Sequence, residues 1–343
     1  MFKTHKFMKN MALLQKSIYL CKKAVMKKSL ILAACLAVAA CSQKPYEGMD
    51  APSKIVYLYP EGQNVDKGIV ENGIAITEGP GESTCCEGGE RCDSARVYFN
   101  TGDEARMEIY LPENCGGQMI INCPGGGYIC TCCQSEGDFA AKWFTSKGVA
   151  VCTVIYRLPN GHCTAPLTDV QNAFRYCRHH AAEWGINQIG IIGYSAGGNL
   201  AASASTLFVD DITRPDFSVL IYPHISMVAA STEVTDACAN NLTGGDPAKK
   251  EYYSLEKRVS PKTPMTMIYL SEDDGIVPPA QSLLYYSALM ENGVKAGLHI
   301  FPKGYHGWGF NTMETAGYDM LEEYREEFFH SLEHFLKICR ESL

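Results

Sequence analysis

Gly193-Tyr194-Ser195-Ala196-Gly197 follows the apolar run Gln188 to Ile192 and precedes a stretch of small residues, which sets a serine on a sharp turn from strand to helix. Such a turn holds the serine backbone in a strained conformation and exposes its hydroxyl, and the glycines two positions to either side let strand and helix pass closely. A serine hydroxyl is a weak nucleophile and needs an adjacent base, itself oriented by a carboxylate. The expected chain order is serine, acid, histidine. Of the nine histidines, His306 is the preferred base, because glycines on either side of it let the backbone approach the elbow. Asp274, just ahead of Gly275-Ile276-Val277-Pro278-Pro279, is the preferred acid, and Asp273 beside it is the alternative. An oxyanion needs donors as well. Gly125-Gly126-Gly127 offers backbone N–H groups with no side chains in the way, and the Ala196 N–H adds another.

These residues need elements that carry them to one place. Short apolar runs predict strands at Arg96–Phe99, Met107–Leu111, Met119–Cys123, Val149–Tyr156, Gln188–Ile192, Phe217–Tyr222, Met265–Leu270 and Leu298–Phe301. Between Leu167 and Ala181, apolar residues at Leu167, Val170, Phe174, Cys177 and Ala181 fall three and four apart, which predicts a helix with one buried face. Leu321, Tyr324, Phe328, Leu332 and Phe335 predict a closing helix in the same way. Strands alternating with helices imply an α/β fold around a mostly parallel sheet covered on both faces. In such a sheet, active residues gather at the carboxyl ends of the strands, and each candidate lies at one. His224, after Tyr222-Pro223, is expected as a loop or substrate-contact histidine; His179 and His180 are expected on a helix surface, and His299 within a strand.

Residues 1 to 40 hold eight lysines and no acidic residue, and Met26-Lys27-Lys28 followed by an apolar run reads as a signal peptide. Residues 1 to 25 are then either an upstream start or an extended charged region. Val38-Ala39-Ala40-Cys41 resembles a bacterial lipobox, with Cys41 the residue to be lipidated; a plain secretory cut after Ala40 is the alternative. The expected organisation is therefore leader 1–40, tether 41–53 and catalytic domain 54–343, with the protein lipid-anchored in the bacterial envelope. Beyond residue 40, 22 Lys and Arg face 38 Asp and Glu, a net charge of −16. That surface repels phosphate backbones, so nucleic acid is not an expected partner and neutral substrates are. Thirteen cysteines follow Cys41. Cys85, Cys86 and Cys92, and Cys130, Cys132 and Cys133, form two groups without zinc-ligand spacing, leaving free thiols, one or two disulfides, or metal open.

The succession Pro-Gly-Gly-Gly-Tyr, Tyr156-Arg157, Gly-Tyr-Ser-Ala-Gly-Gly-Asn, Asp-Asp-Gly-Ile-Val-Pro-Pro and Tyr-His-Gly-Trp-Gly resembles the α/β-hydrolase family, and within it the feruloyl/acetyl-xylan-esterase-like branch of polysaccharide-degrading bacteria. The likeness runs from about Ile55 to the C-terminus, including Leu58-Tyr59-Pro60-Glu61-Gly62 and the helix with Asp169. It implies Ser195, Asp274 and His306 as the catalytic set and Gly126, Gly127 and Ala196 as the oxyanion donors. Two departures stand out: Pro124 replaces a frequent histidine before the glycines, and Cys130 to Gln134 is cysteine-rich. The expected function is a serine carboxylester hydrolase that removes acetyl or similar short acyl groups from plant-polysaccharide fragments, without metal or cofactor. Tyr128, His224 and Trp308 are candidate substrate contacts. The alternatives are a feruloyl esterase, a prolyl-oligopeptidase-like peptidase, and a non-catalytic, cysteine-rich metal- or ligand-binding lipoprotein.

Overall fold

The computed structural model describes residues 51–342 apart from 60–69, 72–73, 76–90, 93–95, 100 and 102–104. The leader, Cys41, Pro60 to Gly62, Cys85 and Cys86 lie outside the described residues. The central sheet has eight strands: β1 (Lys54–Tyr57), β2 (Arg106–Tyr110), β3 (Gln118–Cys123), β4 (Ala150–Ile155), β5 (Gln188–Tyr194), β6 (Phe217–Ile221), β7 (Met265–Ser271) and β8 (Ala296–Phe301). Their order is β1-β2-β4-β3-β5-β6-β7-β8. β1 and β2 run antiparallel at one edge, and the other six are parallel. This is the doubly covered, mostly parallel arrangement expected from the alternation of strands and helices.

β5 is buried along its whole length, as a strand covered on both faces must be. Helices α1 (Phe139–Ser146), α2 (Ala165–His180), α3 (Ser195–Thr206), α4 (Glu233–Thr243), α5 (Pro247–Tyr252), α6 (Pro279–Glu291) and α7 (Arg325–Glu341) fill the connections. The predicted stripe of α2 buries Val170, Phe174 and Cys177, as its spacing requires. Where β4 ends and α2 begins, Arg157 and Asp169 form an ion pair at 2.8 Å with neither side chain exposed.

Three expectations are corrected. The strand at Val97–Phe99 lies outside the main sheet, pairing antiparallel with Arg91–Cys92 and with Thr131–Cys132, the latter within the cysteine-rich loop. The closing helix starts at Arg325 rather than Leu321, because Asp319 accepts the Leu321 N–H at 2.9 Å and binds the Arg325 guanidinium at 2.7 Å. That ion pair folds residues 319 to 324 into turns while Leu321 and Phe328 still share the core. Finally, His180 is buried rather than on the surface: its Nδ1 lies 2.9 Å from Glu183 and its ring stacks on Trp184 at 5.1 Å.

Candidate active site

β5 ends in extended backbone at Tyr194, and α3 begins at Ser195 with φ of 53°, in the left-handed region that non-glycine residues rarely occupy. Strain of this kind costs about 1–3 kcal/mol and persists only where the surroundings enforce it. Here they do. A Cβ on Gly193 would meet the Gly197 carbonyl oxygen at 2.1 Å, and one on Gly197 would meet the Cys123 carbonyl oxygen at 2.1 Å, so both positions exclude any side chain. The His224 N–H donates to the Ser195 carbonyl at 3.0 Å and holds the elbow from the far side.

His306 Nε2 lies 2.9 Å from Ser195 Oγ, and His306 Nδ1 lies 2.7 Å from Asp274 Oδ2. A carboxylate only accepts, so the ring proton sits on Nδ1 and Nε2 is left to accept from the serine hydroxyl. Asp274 Oδ1 accepts the N–H groups of Ile276 and Val277, both at 2.9 Å, which fixes the carboxylate as the turn after it reverses. Asp273 points elsewhere: its Oδ1 accepts the Tyr305 N–H at 2.7 Å, tying the acid loop to the histidine loop. The geometry therefore separates the two adjacent aspartates, one on the imidazole and one on a backbone amide.

Gly125, Gly126 and Gly127 follow β3 directly beside this group. The Gly125 N–H is taken, donating to Glu136 Oε2 at 2.6 Å. Gly126, at φ of 131°, packs so tightly that a Cβ would come within 2.2 Å of the Cys130 carbonyl oxygen. Its own carbonyl accepts from Ile129 at 3.1 Å and Cys130 at 3.2 Å, closing the turn. The N–H groups of Gly126 and Gly127 have no acceptor among the described residues. The Ala196 N–H lies in the first turn of α3, where no intrahelical carbonyl reaches it. Donors of these kinds suit an anion forming beside Ser195.

The three candidate substrate contacts are enclosed by the protein. Tyr128 is 2 % exposed, and its hydroxyl donates to Asn199 Oδ1 at 2.9 Å, bracing the glycine loop against α3. His224 is 1 % exposed, with Nδ1 3.3 Å from Cys238 Sγ and Nε2 3.1 Å from the Ser226 carbonyl, and burial pushes its pKa down to about 4. Trp308 is fully buried; Nε1 donates to Ser271 Oγ at 3.1 Å, and its ring packs on Tyr222 and Phe328. All three sit in residues that turn the chain at strand ends, where a partner far along the chain, invisible in the sequence, decides whether a side chain turns in or out. Tyr305, beside His306, is the aromatic that reaches solvent there, 45 % exposed.

Sequence reasoning missed Glu136 and Tyr222. Glu136 is buried, Tyr222 donates to its Oε1 at 2.8 Å, and Tyr222 packs on the imidazole with ring centroids 4.7 Å apart. Their partners stand 86 residues apart in sequence, and no spacing signal links them. Cys115, Cys123, Cys133, Cys152, Cys163, Cys177 and Cys339 are free thiols, and burial pushes Cys133 well above the ordinary thiol range, as an inert core residue. Among the described residues no group of three His, Cys, Asp or Glu is placed to hold a metal ion.

A family model described as the alpha/beta hydrolase fold matches residues 120–310, more than half of the chain. The chain is 39 % identical over 226 residues to an acetylxylan esterase from Xylanibacter ruminicola, covering 63 % of this chain and 47 % of that one. It is 34 % identical over 203 residues to endo-1,4-beta-xylanase B from Butyrivibrio fibrisolvens, covering 54 % of this chain and 31 % of that one. The chain thus spans less than half the length of these two relatives. Among solved structures, an acetyl ester-xyloside bifunctional hydrolase from Caldicellulosiruptor lactoaceticus superposes with a TM-score of 0.64 at 27 % identity, covering 85 % of this chain and 98 % of that one.

Proposed function

The chain belongs to the α/β-hydrolase family, and from that premise we propose that it is a serine carboxylester hydrolase that removes acetyl or similar short acyl groups from plant-polysaccharide fragments. The observation that carries the reading is the hydrogen-bonded relay from Ser195 through His306 to Asp274, at 2.9 and 2.7 Å, beside two glycine N–H groups that have no acceptor among the described residues. His306 Nε2 takes the serine proton as Oγ attacks the ester carbonyl, and Asp274 stabilises the imidazolium that forms. The N–H groups of Gly126, Gly127 and Ala196 receive the oxyanion. His306 then protonates the departing sugar oxygen, leaving an acyl-serine that water cleaves with the same histidine as base. Every proton passes through one imidazole nitrogen, so the chain's own residues supply the whole cycle. The polysaccharide side of the reading is supported by the names of the relatives, an acetylxylan esterase and a xylanase.

The N-terminal signal and Cys41 lipobox belong to the same proposal, as export and anchoring to the bacterial envelope; intact-mass measurement of the mature protein tests the lipid. For the activity, kcat/KM is compared across acetyl, butyryl, octanoyl and feruloyl esters of one leaving group, and on acetylated xylan. Acetyl is expected to lead, since Tyr128 and the loop from Ile129 to Gln134 are packed behind the oxyanion glycines. Faster turnover of feruloyl or octanoyl esters replaces the deacetylase reading with a feruloyl-esterase or lipase-like one.

A further inference from the structure

Glu136 sits on a five-residue π-helical turn, Gln134–Asp138, that leads into α1, and is 3 % exposed. Its Oε2 accepts the Gly125 N–H at 2.6 Å, and its Oε1 accepts the Tyr222 hydroxyl at 2.8 Å. Tyr222 Oη in turn accepts the Gly309 N–H at 2.9 Å, three residues beyond His306. Two backbone links reinforce the strut: the Phe310 N–H donates to the Ser135 carbonyl at 3.1 Å, and the Asn122 side chain donates to the Glu136 carbonyl at 2.8 Å. One buried carboxyl thus joins the glycine loop after β3, the exit of β6 and the histidine loop after β8. We propose that Glu136 is a positioning residue for the ester hydrolysis, holding Gly125 so that the next two N–H groups face the oxyanion, and lending its negative charge to the imidazolium of His306. The inference rests on the serine-esterase reading above.

The hydrogen bonds argue for the charge. The Tyr222 oxygen already accepts from Gly309, so its single proton points to Glu136, whose two oxygens then both accept, as an ionised carboxylate does. Burial pushes the Glu136 carboxyl above its ordinary value, while the bonds from Gly125 and Tyr222 and the attraction of His306 oppose that rise. The other titratable groups acting on it, Tyr156, Tyr194 and Tyr222, are held well above their usual range by burial and stay neutral. His306 faces Asp274 at Nδ1, Glu136 behind the Tyr222 ring, and a neutral His224. The nearby cation Arg325, on the Gly309 carbonyl at 2.8 Å, is paired with Asp319. Asp138, on the same turn as Glu136, is paired with Arg96. Proton transfer from Ser195 makes a positive charge on His306, and a fixed negative charge nearby favours that state at no reorganisation cost.

The test measures kcat and KM on 4-nitrophenyl acetate from about pH 5 to 9 in the wild type, Glu136→Gln and Glu136→Asp. Gln keeps the size but removes the charge and one acceptor. Its kcat is expected to fall by roughly 10- to 100-fold with KM changed less than about threefold. With a negative charge near the imidazole removed, the acid limb of kcat/KM should move down by roughly 0.5 to 1 pH unit. Asp restores the charge with a shorter reach, so its acid limb should return toward the wild type while kcat stays low. A wild-type kcat in Glu136→Gln overturns the proposal, as does a lowered kcat with an unmoved acid limb, which makes the residue a strut alone. Should circular dichroism show that Glu136→Gln does not fold, Tyr222→Phe keeps the ring and the carboxylate but opens the link to Gly309. There kcat should fall by about tenfold, and an unchanged value overturns the strut. Failure of the underlying reading shows separately, as turnover that survives Ser195→Ala.

Discussion

Asp169 and Asp274 are both buried, and each grips a basic side chain. Around Asp169, Arg157 is fully enclosed and bonds only to scaffold: its backbone N–H reaches Asp169 Oδ2 at 2.7 Å, its Nε reaches Oδ1 at 2.9 Å, and its Nη2 reaches Tyr59 Oη at 2.5 Å. Around Asp274, the partner is an imidazole 10 % exposed, with one nitrogen on the carboxylate and the other left facing Ser195. The first pair makes its bonds within the fold and faces no reactant, with Arg157 Nη1 buried and unpartnered among the described residues. The second sets its other nitrogen on the Ser195 hydroxyl, whose proton can move to it. A buried ion pair becomes machinery when one partner can change charge and one of its atoms still faces a reactant.

The strongest way to break this contrast is to remove the mobile half. Ser195→Ala or Asp274→Asn should lower turnover of 4-nitrophenyl acetate by about 10⁴- to 10⁶-fold while leaving urea denaturation close to wild type. Loss of stability in step with activity would make the Asp274 pair scaffold too. The converse variant is Asp169→Asn, which leaves Arg157 charged and enclosed. Stability is expected to fall by about 3–5 kcal/mol, read from the urea midpoint, with kcat per folded molecule nearly unchanged.

His224 sharpens the comparison, since it too is buried, but its nitrogens are held by the Cys238 thiol and the Ser226 carbonyl rather than by a carboxylate and the serine hydroxyl. Its folded pKa is lowered from 6.5 to about 4, so between those values the unfolded chain binds more protons. Stability from this group is therefore full above pH 6.5 and is lost as pH falls toward 4, by up to about 3 kcal/mol. Urea midpoints between those two pH values should show that slope, and His224→Asn should flatten it; an equal slope in both would remove His224 as its source. The smallest effect belongs to Asp273, which is exposed and holds only the Tyr305 amide. Asp273→Asn should cost less than about tenfold in kcat/KM, and a loss matching Asp274→Asn would erase the distinction between the neighbours.

Much of this was legible in the chain because it is local. Gly193 and Gly197 around Ser195 specify one turn, and the strand and helix that flank it follow from apolar spacing alone. The order of Ser195, Asp274 and His306 at strand ends needs no distance to be read. The side-chain directions of Tyr128, His224 and Trp308 were not legible, since Asn199, Cys238 and Ser271 lie 71, 14 and 37 residues away from them. Nor was the separate pairing of Val97–Phe99, whose partner Thr131–Cys132 sits in a loop with no strand pattern of its own.

By itself, then, the sequence determined the α/β class, the parallel sheet, the elbow and the glycine turn, since each depends on periodicity or on backbone conformations that only a few residue types can adopt. Tertiary structure decided which aspartate faces the imidazole and which aromatics are enclosed. It also decided that Glu136 joins three loops that are far apart along the chain. Those outcomes depend on burial and on hydrogen bonds between distant segments, and a buried polar group is worth its desolvation only where the folded chain happens to bring it a partner.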